Sequence, residues 1–289
     1  MTQTIRISNS ELAVEVSTLG AEMQSLKTAD GRDWLWNGDG AWWTGRSPIL
    51  FPIVGKAPGD RLAINGTTYP MAQHGIARRR EFAIVEQAET ACRHELVSTP
   101  ETRAIYPFDF RLTLEHRLEE RRLSVTATVE NTGDTLLPFG LGFHPAFLWP
   151  LPGADGKPHH VTLDNCAEPG VIQLEAGLIG ETLPTSPFKA GRLELAHSLF
   201  DNDALIFPEG AGNALTFGAD GGPSVHFTFE NLPNIALWQK PGAPFLCVEP
   251  WHGMAAHAGG TAELVERPFT VALPAGNTMR FGFTAEIKD

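Results

Sequence analysis

Short runs of alternating apolar and polar residues, each soon cut off by Gly or Pro, dominate this chain and leave it little room for anything but β-structure. A two-residue period sends successive side chains to opposite faces of a strand, whereas a helix needs an apolar stripe recurring about every 3.6 residues. With 29 Gly and 22 Pro in 289 residues, no long segment sustains such a stripe. Alternation is visible over residues 12–16, 224–229 and 279–287. Its clearest instance is residues 111–118 followed by 122–129, with Glu119-Glu120-Arg121 turning one into the other and Asn131-Thr132-Gly133-Asp134 closing the second. That pattern predicts an antiparallel hairpin with one wet face. The expected fold is all-β, a large antiparallel β-sandwich. There is no internal repeat, low-complexity tract or domain linker, so residues 1–289 read as a single domain. The stretches 150–158 and 208–223 read largely as surface connections within it.

Composition narrows the function classes. The chain is 42% hydrophobic and 19% charged, an ordinary globular balance. Its net charge of −12 repels phosphate backbones and anionic lipid, which argues against nucleic acid and membrane surfaces as partners. No apolar run reaches the roughly 18 residues of a membrane span. The first residues lack the charged start and apolar stretch of a signal peptide. Three widely spaced cysteines, Cys92, Cys166 and Cys247, form neither a disulfide framework nor a CxxC metal site. The expectation is a cytoplasmic protein without a metal.

Against that background, a few polar residues stand out. His144 lies among Phe143, Pro145, Ala146 and Phe147, and Glu249 follows Phe245-Leu246-Cys247-Val248 and precedes Pro250-Trp251. Burial raises a carboxylate pKa and lowers that of an imidazole, so two such groups can exchange protons near neutrality. His144 reads either as a buried histidine satisfied by a carbonyl or as a general acid. Glu249 reads as half of a structural ion pair or as a general base, at a place where Pro250 is expected to end or bend the strand. His74 and Arg78 lie four apart in Gln73-His74-Gly75-Ile76-Ala77-Arg78. They are either part of a solvated turn with Arg79 and Arg80 or donors to substrate oxygens. Asp201, in Phe200-Asp201-Asn202-Asp203, is a turn or cap residue, or an acceptor for sugar hydroxyls. The His159-His160 pair after Gly156-Lys157-Pro158 reads as exposed loop. His252 and His257 are five apart, the wrong spacing for a helical zinc pair. No nucleophile elbow or phosphate loop is present.

Taken together and in order, five segments resemble the aldose 1-epimerase (mutarotase) superfamily, and most of all its bacterial branch of shorter members. They are residues 48–55, His74-Gly75-Ile76-Ala77-Arg78, Gly142-Phe143-His144-Pro145-Ala146-Phe147, residues 199–207, and Glu249-Pro250-Trp251-His252-Gly253. The resemblance implies a β-sandwich with an open sugar-binding cleft. It implies Glu249 as general base and His144 as general acid, with His74, Arg78 and Asp201 binding substrate. The implied reaction interconverts α and β anomers by opening and closing the sugar ring and calls for no cofactor. One departure is that Ile53-Val54-Gly55-Lys56 stands where galactose mutarotases carry an Asn-Arg pair, so only Lys56 offers a cation there. Arg78, in a motif shared with hexose-6-phosphate epimerases, raises a phosphosugar as an alternative substrate. A non-catalytic sugar binder or sensor on the same fold is the rival from another class. The pairing of an acid and a base argues for the enzyme, and the single well-placed carboxylate argues against a glycoside hydrolase.

Overall fold

A computed structural model describes residues 2–183 and 185–289. Two large antiparallel sheets dominate it. The first has nine strands in the order Arg192–Glu194, His159–Leu163, Ala214–Ala219, Ser224–Glu230, Thr278–Lys288, Arg122–Asn131, Phe110–Glu119, Ala91–Val97 and Ala83–Gln87. At its centre is the hairpin expected from the alternation, Phe110–Glu119 paired with Arg122–Asn131, with Leu112, Leu114 and Leu118 facing inward. The second sheet has eight strands and is built around Asn234–Trp238 and Phe245–His252. One flank of the latter pairs with two short strands, Leu141–Phe143 and Ala146–Leu148.

The two sheets meet through interleaved aromatic rings. Phe143 and Phe147 of the smaller sheet pack edge-on against Phe283 and Phe227 of the larger, each with centroids 5.1 Å apart. Such edge-to-face contacts add to the burial that drives the sheets together. One hydrophobic cluster runs from Ile5 to Ile287. Because side chains alternate, the residues between these core positions point to the other face of the smaller sheet. There Ile206, Ala236, Trp251 and Ala255 form a second apolar layer, and that outer face carries the pocket.

The structure departs from three local expectations. Pro250 does not end its strand, which runs through to His252. Val248 N–H points away from the Asn234–Trp238 strand and donates to Pro145 O at 3.1 Å. Pro250, two residues on, turns the same edge towards the end of the Leu141–Phe143 strand and lacks the N–H for one ladder bond, but pairing on either side of it, at Cys247 and Trp251, carries the strand through. His159 is not in an exposed loop. It begins a strand, is 3% exposed, and its Nε2 accepts a 3.0 Å hydrogen bond from Leu151 N–H. The stretch 208–223 is not mainly connection either, since it contains the strand Ala214–Ala219.

Candidate active site

Strand register alone brings His144 and Glu249 together. Gly142 is opposite Trp251 and Ala146 opposite Cys247, which leaves His144, midway between them in the same register, opposite Glu249. Their Nε2 and Oε2 atoms are 3.1 Å apart, and the residues are 7% and 1% exposed. Gly142 is required here by close approach, because a Cβ on it would stand 2.5 Å from Cδ1 of Trp251.

His74 comes from a separate turn pinned to the 51–55 segment. Both His74 and Gly75 have left-handed backbone, with φ of 65° and 76°. A Cβ at Gly75 would lie 2.2 Å from Phe51 O, the carbonyl that accepts from Ile76 N–H and Ala77 N–H. His74 Nδ1 accepts from Gly55 N–H at 3.1 Å, so the hydrogen of the neutral ring sits on Nε2, 3.2 Å from the Gln73 side-chain amide. The His74 ring stands edge-on to His144, centroids 5.7 Å apart. Arg78 donates through Nη2 to Gln73 O at 3.1 Å, while its Nε is buried without a partner among the described residues.

These groups line a pocket of about 420 Å³, together with Trp43, Trp238, Leu174, Ile206, Trp251 and Asp203. Trp43 lies 4.9 Å from the His144 ring, and Trp238 stands edge-on to it at 5.7 Å. Four sequence candidates, His74, Arg78, His144 and Glu249, thus converge on one cavity. Asp201 is not among the lining residues. It is exposed at the end of a 3₁₀ turn, and the chain bends so that Asp203, with φ of 78°, faces the pocket instead. The Asp203 carboxylate accepts from Ala204 N–H at 2.9 Å. Lys56 also lies outside the lining. Its Nζ reaches Ala176 O at 3.5 Å, and its backbone oxygen accepts from Arg267.

Arg267, which the sequence did not single out, is 5% exposed and clamps three carbonyls, those of Val54, Lys56 and Met254. It thereby fixes the segment whose Gly55 N–H holds His74. Its partners are backbone atoms far away in sequence, so no local motif marks it.

Burial sets the electrostatics. Desolvation pushes the Glu249 carboxyl well above the usual range, the Asp203 charge adds to this, and Trp251 works the other way. Desolvation likewise holds His144 down at about 3 and His74 well below an ordinary imidazole, where the neighbouring His144, Arg78 and Arg267 contribute. A carboxylate raised in this way is a stronger base, and an imidazolium lowered in this way is a stronger acid.

The sequence pattern of the family described as aldose 1-epimerase matches residues 3–174, more than half of the chain. The chain belongs to the aldose 1-epimerase family. Within curated proteins, it is 28% identical over 288 residues to Protein LacX (plasmid) of Lactococcus lactis subsp. lactis, spanning 94% of this chain and 95% of that protein. A galactose mutarotase related enzyme from Lactobacillus acidophilus superposes with a TM-score of 0.93 at 27% identity, covering 99% of this chain and 98% of that one. A galactose mutarotase-like protein from Lactobacillus casei gives 0.92 at 28% identity, covering 99% and 100%. These likenesses support a sugar epimerase or mutarotase type of function for this member of the family. No helix among the described residues is long and apolar enough to cross a membrane.

Proposed function

We propose that this protein is an aldose 1-epimerase that opens and closes the ring of a free aldose by paired acid–base catalysis. The observation that carries the proposal is the buried His144–Glu249 pair at 3.1 Å inside a pocket of sugar size. The pair holds one proton; burial favours it on Glu249 at rest, and it crosses the 3.1 Å contact to His144 in the reactive form. Glu249 takes the proton of the C1 hydroxyl while His144 gives its own to the ring oxygen, and the C1–O5 bond breaks with its electrons going to O5. The aldehyde end rotates, and closure on the other face returns both protons. The pair then holds the same single proton it began with, so no cofactor is needed. Each proton transfer is worth roughly 10²- to 10⁴-fold.

His74, through Nε2–H, and Asp203 would hold sugar oxygens, and Trp43 or Trp238 would cover C–H faces. Among the described residues lining the pocket Arg78 is the one Lys or Arg, and Asp203 and Glu249 line it as well. A phosphate dianion would meet two acids and one guanidinium, which favours an uncharged sugar. The unpartnered Nε of Arg78 is the observation that keeps hexose 6-phosphate as a second reading. We further read the chain as one domain in the cytoplasm, since one apolar cluster links its two ends and the acidic surface disfavours nucleic acid and lipid.

The test is polarimetric mutarotation of freshly dissolved α-D-glucose and α-D-galactose, with the 6-phosphates followed by NMR. Acceleration of a free sugar supports the first reading, and acceleration of a 6-phosphate alone supports the second. Tight sugar binding without acceleration would establish the non-catalytic binder.

A further inference from the structure

Three polar side chains meet in the dry interior of the nine-stranded sheet, and none of them lines the sugar pocket. Cys92 and His94 are two residues apart on the strand Ala91–Val97 and so share its inner face. His116, on Phe110–Glu119, is directly opposite Cys92. The three residues are 1%, 0% and 2% exposed, and their ligating atoms lie within 4.8 Å of one another. The two imidazole rings stand at 87° with centroids 6.4 Å apart. Beside them in the register, Val125 flanks His116, Leu114 and Ile84 flank His94, and Leu96 is next along the strand, while the exposed Gln87 lies opposite Cys92 at the sheet edge.

Neither nitrogen of His94 nor Nδ1 of His116 has a hydrogen-bond partner among the described residues. Buried polar groups are nearly always paired, and in this layer Val or Leu would pack without leaving any polar atom unmet. Three such groups converging on one point are what a bound ion requires.

We propose that Cys92, His94 and His116 bind a single copper(I) ion. A thiolate and two imidazoles are a donor set suited to a soft ion. Metal–ligand bonds of about 2.0–2.3 Å put the donors of a trigonal site roughly 3.5–4 Å apart, so from separations within 4.8 Å closing on the ion takes at most about 1.3 Å of contraction between any two donors. Charge and coordination number choose the metal. Thiolate and copper(I) cancel, which leaves a neutral site in an apolar layer. Zinc(II) would leave a net positive charge there, because Glu95 and Glu115 point to the opposite face of the sheet. Zinc also takes a fourth ligand in structural sites, and among the described residues no fourth His, Cys, Asp or Glu joins the three. Binding forms a Cu–S bond and releases the Cys92 thiol proton to solvent, with no change in oxidation state.

The experiment uses full-length protein carrying Cys166→Ser, which removes the exposed thiol. It is titrated without oxygen with tetrakis(acetonitrile)copper(I) against bicinchoninate, and the bound metal is examined by X-ray absorption. The expected result is one copper per chain with one sulfur and two nitrogen neighbours. Cys92→Val in the same background should weaken binding by at least about 100-fold. The absorption measurement on the protein with all three ligands intact stands even where the Val variant fails to fold. Undiminished affinity in Cys92→Val, a shell of four ligands, or the absence of retained copper would overturn the assignment. So would a carboxylate oxygen in the shell, which would place the ion on the pocket cluster His144, Cys247 and Glu249.

Discussion

His144 Nε2 and Glu249 Oε2 lie 3.1 Å apart because two short strands flank His144 and pair in one continuous register with the strand that carries Glu249. The contact is a property of the sheet and not of a flexible loop. It places His144 and Glu249 on the outer face, while Phe143, Phe147 and Val248, of the opposite parity, anchor the same backbone in the core. Pocket geometry and core packing are thus two faces of the same strands.

As the proposed acid–base pair, these groups set the expected pH profile, with one proton held between them in the active form. A second proton is resisted because burial keeps His144 down at about 3, and the single proton is retained because Glu249 is raised well above 4.5. Measured kcat/KM for mutarotation should therefore stay flat from neutrality well below 6.5, falling only at strongly acidic pH. Its alkaline limb should lie above the ordinary carboxyl range. An acid limb centred at 6.5 would show a solvated, ordinary histidine.

Asp203 and Asp201 should separate cleanly. Asp203→Asn removes an acceptor at the pocket wall and should raise KM about tenfold or more, the worth of one hydrogen bond to a charged group. It also removes a negative charge that raises Glu249, so the alkaline limb should move to lower pH. Asp201→Asn, on the exposed side of the turn, should leave KM and the profile unchanged. Steady-state kinetics of the two variants over a pH series checks both statements.

Arg267→Leu leaves three buried carbonyls without their charged donor. A loss of about 3 kcal/mol is expected, read from the midpoint of urea unfolding. Activity should fall at temperatures where the variant is still folded, because the segment holding His74 through Gly55 loses its clamp. Full activity in the folded variant would mean that His74 is positioned without it.

Gly75→Ala is a sharper test of the same turn. It combines a φ of 76° with a Cβ 2.2 Å from Phe51 O, so the turn must move or the chain must strain. We expect a loss of about 2 kcal/mol or more in thermal or urea unfolding, with mutarotation falling further than stability accounts for.

Much of this was legible in the sequence, for identifiable reasons. Alternation over 111–118 and 122–129 reads directly as the central hairpin because one face of it is buried and the other is wet. His144, Glu249, His74 and Arg78 are conspicuous because polar groups among aromatic, Gly and Pro residues are hard to explain by packing alone. Asp203 was missed in favour of Asp201 because a two-residue difference inside a turn is decided by backbone φ, which side-chain pattern does not encode. Arg267 was missed because its partners are carbonyls, and any residue has one. Cys92, His94 and His116 were missed because their proximity exists only across a strand pair. Pro250 does not end the strand because neighbours on either side of it, Cys247 and Trp251, are paired in one register, which the sequence around Pro250 does not encode.

Glu249 is proposed to be the base of an anomer-interconverting enzyme. The direct measurement is polarimetric mutarotation of α-D-glucose and α-D-galactose by the wild-type protein and Glu249→Gln, side by side at neutral pH. The expected result is acceleration by the wild type and a kcat lower by roughly 10²- to 10⁴-fold in the variant, with KM little changed. Equal acceleration by both proteins would show that Glu249 is not the base.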